Sequence, residues 1–165
     1  MDCLRGRLAP GVPFHPALSR AYIVCFACPW IWLFSEKEQA RGIHAMIAKT
    51  PRIPPESVDL MVKNCHWGDL TKTNFEADDA GFETAVLLNR DGFLTEGPGL
   101  NAFAVIDRRV VSPRRGALEG ITRLSIMELC QELGIPHTIR PISRGELEEA
   151  HEIFFSTTAG GVMPV

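Results

Sequence analysis

A lysine, a glutamate, one helix start and a pair of threonines are the residues of this sequence that could do chemistry together. Lys63 stands in MVKNCHWGDL, between apolar neighbours and ahead of a small polar run and a tryptophan. Its amine could form an imine with a carbonyl. Thr95-Glu96-Gly97 puts a carboxylate at the end of a strand, where a tight loop can open it to a cleft. Gly120-Ile121-Thr122-Arg123 begins a helix and presents N–H groups without partners, and Thr157-Thr158-Ala159-Gly160-Gly161 adds hydroxyls and a pliable backbone. Each also has an ordinary reading: a strand with one polar side, a surface acid, a cap, a turn.

Together these residues suit one cofactor. A lysine for an imine, a carboxylate to keep a pyridine nitrogen protonated, and a helix N-terminus with threonines for a phosphate are what pyridoxal 5′-phosphate requires of a protein. Two other motifs are decoys. Gly97-Pro98-Gly99-Leu100-Asn101-Ala102 satisfies the relaxed dinucleotide pattern, but strand-type sequence follows where that motif must open a helix, and Pro98 has no N–H to offer. Cys25-Phe26-Ala27-Cys28 has the spacing of half a zinc site with no second half, so two buried thiols and no metal are expected.

The elements that must position these residues read as a mixed α/β domain whose strands and helices alternate too irregularly for a doubly wound sheet. Residues 1–20, rich in Gly and Pro, read as an irregular leader, and the apolar run Ala21–Phe34 as core. Ser35 caps a short helix, IHAMIAKT alternates as a strand, and Lys63 follows the turn PRIPPES on an extended segment. A helix is expected from Leu70 to Gly81 on Leu70, Asn74, Ala77 and Ala80, and a stronger one from Gly120 to Gly134 on Ile121, Leu124, Met127, Cys130 and Leu133. Arg90-Asp91-Gly92 turns between two strands, AFAVID and RVVSP make another pair, Ser143 and Glu146 form a capping box, and IFFSTTAGG runs from strand to loop.

With 165 residues, 45% of them hydrophobic, and a net charge of −3, the chain can bury a core and has neither a basic stripe for nucleic acid nor a polybasic membrane anchor. Five scattered cysteines do not resemble a secreted disulfide framework, so a cytoplasmic location is expected. The apolar run is too short for a bilayer span and is broken by Pro29.

VKNCHWGDL, TEGPGLNAF, GALEGITR and EIFFSTTAGG, in that order, resemble the class IV aminotransferases, the fold-type IV pyridoxal-phosphate enzymes. That family includes branched-chain and D-amino-acid aminotransferases and aminodeoxychorismate lyase, and WGDL and STTAGG are most similar to its R-selective amine transaminase branch. The resemblance covers Tyr22 to Val165. It implies that Lys63 is the Schiff-base lysine, Glu96 the partner of the pyridine nitrogen and Leu118 the residue lying against the ring. It gives the phosphate the backbone N–H groups of Ile121 and Thr122 and the Thr158 hydroxyl, and puts Thr157 and Ala159 on the substrate side. Trp67 stands near the place of a tyrosine that this chain lacks. By the same resemblance residues 21–62 are a remnant of a small N-terminal domain and 63–165 the cofactor-binding domain, as in a member truncated at both ends. The implied activity is amino transfer from an amino acid or amine to a 2-oxo acid by a homodimer; a lyase on the same scaffold and a non-catalytic remnant are the alternatives.

Overall fold

In the computed structural model, which describes residues 2–7, 10, 11, 13 and 15–165, the chain divides into two units, 1–31 and 32–165. In the first, β1 (Asp2–Arg7) pairs antiparallel with β2 (Arg20–Val24), and Pro16–Leu18 makes a 3-10 turn. The stretch expected to be an irregular leader therefore contains a strand. Its prolines cluster over 10–16, where they break the chain between two strands instead of preceding both. Residues 1, 8, 9, 12 and 14 of that stretch lie outside the described residues.

The apolar run expected to be core is exposed over residues 23–33. Beyond Val24 it forms no helix or strand, and Phe26, Trp30, Ile31 and Trp32 are each more than half accessible, while Phe34 is buried. An apolar run without a period has no face to lay against a core, and Pro29 cannot donate to a ladder. Cys25 and Cys28, expected as buried thiols, are likewise exposed and free.

In the second unit, Ser35 caps α1 (Glu36–Arg41) reciprocally: its hydroxyl accepts from the Glu38 N–H, and the Glu38 carboxylate accepts from the Ser35 N–H. β3 (Ala45–Ile47) runs parallel to β4 (Thr84–Val86), and between them α2 (Gly68–Asp79) ends just before Gly81, whose φ of 78° a helix cannot continue through. Leu70, Thr73 and Ala77 form the buried stripe of α2; Asn74 and Ala80, expected on it, are exposed.

The main sheet has six strands, β5 (Glu96–Gly97), β6 (Leu100–Ile106), β7 (Arg109–Ser112), β8 (His137–Ile139), β9 (Glu152–Thr157) and β10 (Gly161–Pro164). Their order is β10-β9-β6-β7-β8, with β5 on the start of β6. β10, which folds back on β9, occupies what reads in the sequence as loop. A two-residue turn at Asp107-Arg108, with φ of 49° and 59°, joins β6 to β7 in the hand that strand twist favours.

Side chains alternate across this sheet. Ala102, Ala104 and Phe155 face one core with Val86, Leu94, Ile142 and Leu147, the last from α4 (Arg144–Glu148), whose Ser143 cap is formed as expected. Phe103 and Phe154, stacked with centroids 4.7 Å apart, face α3 (Ile121–Glu132), where Phe103 joins Ile126, Met127 and Cys130. The helix is where the sequence predicts it but is rotated. Ile121, Leu124 and Leu133, expected to be buried, are exposed, and Arg123 and Ile126 are buried instead. Arg123 can be inside because its guanidinium donates to Ser112 Oγ at 2.7 Å and to the Pro113 carbonyl at 2.9 Å.

Candidate active site

The turn Pro98-Gly99 folds β5 back on β6 and sets Glu96 opposite Asn101, and β9 sets Ser156 opposite Asn101 from the other side. Cross-strand neighbours share a face, so Glu96, Asn101 and Ser156 form a row across the sheet on the face that α3 covers. The glycines of the rejected dinucleotide motif thus make a hairpin. A Cβ at Gly97 would lie 2.8 Å from the Ala85 carbonyl oxygen, so a glycine lets β5 close onto β4.

Glu96 is buried and held at both oxygens, with acceptor capacity left on Oε2. Its Oε1 accepts from Arg52 Nε at 3.0 Å and lies 2.9 Å from Arg52 Nη2, and its Oε2 accepts from the Leu118 N–H at 2.8 Å. Arg52 is shared: its Nη1 donates to Asp69 Oδ2 at 2.6 Å, which also accepts from the Ile53 N–H. Burial raises the Glu96 carboxyl above the ordinary glutamate value, the Leu118 amide and Arg52 oppose that, and the negative charge of Asp69 adds to it. For Asp69 burial also raises, but the Ile53 amide and Arg52 outweigh it, so its value is lowered.

The row, the start of α3 and the loop before α2 enclose a cavity of about 410 Å³. Lys63, Glu96, Leu118 and Trp67 line it, as do Ile121 and Thr122 at the start of α3 and Thr157, Thr158 and Ala159 at the end of β9. All nine residues singled out in the sequence are therefore brought to one cavity. Lys63 is not buried on an extended segment as expected, however; it is exposed in a loop, with Nζ 5.9 Å from the Trp67 ring centroid. Asn64 accounts for the loop: its side chain donates to the Asp59 and Val62 carbonyls and accepts from the His66 N–H, competing with any strand ladder. The first amides of α3 are uncapped, since Gly120 has no side chain to accept from them and the first helical bond is Leu124 N–H to the Gly120 carbonyl.

Sequence reasoning misses Arg52, Asp69, Asn101 and Ser156. Arg52, in TPRIPP, is flanked by turn residues and reads as a loop cation. Asn101 holds the Leu118 carbonyl at 2.7 Å, and a Cβ on Gly120 would lie 2.5 Å from its Oδ1. Ser156, 1% exposed, lines the cavity with an Oγ that has no hydrogen-bond partner among the described residues. Among the described residues, no three His, Cys, Asp or Glu side chains cluster to hold a metal, and no helix is long and apolar enough to cross a membrane.

This charge arrangement has a consequence for pH. Asp69→Asn removes a negative neighbour and leaves Arg52 undivided on Glu96, so Glu96 should titrate lower than in the wild type. Carbon-13 NMR of the Glu96 carboxyl reads this directly, with Lys63 and His66 on the cavity side and Glu56, Arg90, Asp91 and Arg115 behind Arg52 left unchanged as background. Because the folded-state value of Asp69 is lowered, its stabilisation is present above the unfolded value and is lost as pH falls through the folded one. The stability gap between wild type and Asp69→Asn should close on acidification; a gap that persists at low pH would assign Asp69 to docking α2 alone.

The family model for amino-transferase class IV matches residues 13–165. The chain is 31% identical over 153 residues to the branched-chain-amino-acid aminotransferase of Escherichia coli K12, a match covering 91% of this chain and 50% of that protein. Among solved structures, the branched-chain aminotransferase of Thermoproteus uzoniensis with norvaline aligns with a TM-score of 0.73 at 32% identity, covering 75% of this chain and 43% of that one. The branched-chain amino acid aminotransferase of Thermobaculum terrenum in its PLP form gives 0.73 at 28% identity, covering 78% and 44%. The chain spans about half the length of these relatives or less. A match over most of the sequence, carried by a mixed α/β fold that follows these structures, makes the chain a member of the class IV aminotransferase family.

Proposed function

We propose that the cavity binds pyridoxal 5′-phosphate and that the chain takes part in transferring an amino group from an amino acid or amine to a 2-oxo acid. The observation that carries this reading is the convergence of one lysine amine, one buried carboxylate and one uncapped helix start on a single cavity. The residues fit the group: an anion suits the open amides of α3, Glu96 suits a protonated ring nitrogen, and the cavity lining includes a buried hydroxyl without a partner among the described residues. Bound there, the cofactor would supply an electron sink for the carbon that loses its proton.

The chain's own residues would divide the work. Lys63 Nζ, exposed to the cavity beside Trp67, is the amine that would hold the aldehyde carbon and, once released, carry a proton from one substrate carbon and return it to another position. Glu96 would keep the proton on the ring nitrogen, helped by the burial that raises its own proton affinity. Leu118, between its two bonds to Glu96 and Asn101, would lie against the ring. The Ile121 and Thr122 amides and the Thr158 hydroxyl would meet the phosphate, and Trp67, Thr157 and Ala159 would line the substrate side.

The matched relatives are branched-chain-amino-acid aminotransferases, so a branched-chain amino acid with a 2-oxo acid acceptor is the first pair to assay. Residues 63–165 as cofactor domain, a homodimer and a cytoplasmic location complete the reading; the cytoplasmic location rests on the five cysteines' scattered spacing, which does not resemble a secreted framework. The test is to add the cofactor, trap with borohydride and map the modified lysine by mass. The adduct should lie on Lys63 and vanish in Lys63→Ala; an adduct on Lys49 or Lys72 would overturn the assignment. Release of pyruvate without an amino acceptor would favour the lyase alternative.

A further inference from the structure

Three residues make the row across the main sheet, and two of them are already hydrogen-bonded. Glu96 is held by Arg52 and the Leu118 N–H, and Asn101 Nδ2 donates to the Leu118 carbonyl. The third, Ser156, is 1% exposed, lines the cavity, and its Oγ meets no partner among the described residues. A buried hydroxyl is nearly always bonded, usually to a nearby carbonyl. Here the strand carbonyls on either side of Ser156 are committed to the ladders with β6 and β10. Its side chain lies on the sheet face that it shares with Asn101, among the residues that line the cavity.

What faces it is the start of α3. Gly120 sits so close over Asn101 that a Cβ there would be 2.5 Å from Asn101 Oδ1, and Asn101 is the cross-strand neighbour of Ser156. The open amides of a twelve-residue helix and an unpartnered buried hydroxyl thus border one space. The helix end favours negative charge, and a hydroxyl can donate to it. Along the row, Ser156 lies two strand spacings, roughly 10 Å, from Glu96. One ligand with a ring nitrogen at Glu96 and an anionic group at α3 would span that distance.

We propose that Ser156 is a further binding residue of this site, its hydroxyl donating to the ligand's phosphate from the sheet side while the α3 amides and Thr158 hold it from the others. This rests on the pyridoxal-phosphate reading for the identity of the ligand, but not for the existence of the anion site. It also gives the buried hydroxyl opposite consequences in the two states of the protein, a liability when the cavity is empty and a contact when it is filled.

Ser156→Ala tests both halves. Without ligand the variant should melt higher than the wild type, by about 2–4 °C, because an unsatisfied buried hydroxyl has been removed. It should bind pyridoxal phosphate and inorganic phosphate roughly ten- to a hundredfold more weakly, as expected for a lost hydrogen bond to a charged group. Pyridoxal, which has the ring and no phosphate, should bind both proteins alike. Equal losses for pyridoxal and pyridoxal phosphate would overturn the assignment, and so would unchanged phosphate affinity, a lowered ligand-free melting temperature, or a wild type that binds no phosphate in the millimolar range. If inorganic phosphate binding depends on Ser156 while no adduct forms on Lys63, the cofactor reading fails and the anion site stands.

Discussion

Arg52→Met should destabilise the fold by about 3–5 kcal/mol at neutral pH, the loss expected when one partner of a buried ion pair is removed and the other charge stays behind. Two charges stay behind here. The Arg52 side chain is 6% exposed, and it stands between Glu96 at 8% and Asp69 at 12%. Methionine fills the space but leaves both carboxylates facing each other without a counter-charge. The penalty should therefore depend on pH. With Arg52 gone the Glu96 carboxyl, already raised by burial, rises further, so in the variant protonation of Glu96 and Asp69 relieves the repulsion as pH falls. Urea unfolding across pH should show the difference between wild type and Arg52→Met shrinking on acidification. Adding Glu96→Gln and Asp69→Asn to the variant should recover much of the loss at neutral pH, which no independent set of substitutions would do. A loss below about 1 kcal/mol would show that water reaches the triad and screens it.

That triad also marks the limit of what the sequence can tell. The residues that line the cavity are legible because each sits in a local pattern: Lys63 ahead of a polar run, Glu96 before a tight turn, Ile121 and Thr122 after a glycine, Thr157 and Thr158 before another. Caps are legible for the same reason, since Ser35 and Ser143 need only the residue three positions on. Arg52 is not. Its partners are 17 and 44 positions away, and the turn residues around it predict only a loop. Burial goes wrong for a related reason. The face of α3 is set by where Arg123 finds Ser112 and Pro113, and the apolar run is exposed over residues 23–33 in spite of its hydropathy. Lys63 is a local failure of the opposite kind: Asn64 bends the backbone that its apolar neighbours would have extended.

Glu96→Gln should leave cofactor affinity within about tenfold and slow proton abstraction by about 10²- to 10³-fold, the size seen when one electrostatic contact to developing charge is removed. Glutamine keeps the volume and can still present an oxygen to Arg52, whose other carboxylate, Asp69, remains in place. The fold should therefore survive far better than in Arg52→Met. On the proposed reading, what would be lost is the carboxylate charge that would keep a proton on the cofactor's ring nitrogen. The folded protein should also change its response to pH in a defined direction. A carboxyl whose folded value is raised contributes stability that is present below the unfolded value and is lost as pH rises through the folded one. Glu96→Gln removes that term, so its stability should be flatter than the wild type's from about pH 4.5 upward. The kinetic test is a single half-reaction: mix the cofactor-loaded chain with a branched-chain amino acid and follow the decay of the visible band. A decay in Glu96→Gln as fast as in the wild type would mean that the ring nitrogen is protonated without this carboxylate. Glu96 would then be a structural partner of Arg52 and Leu118 only.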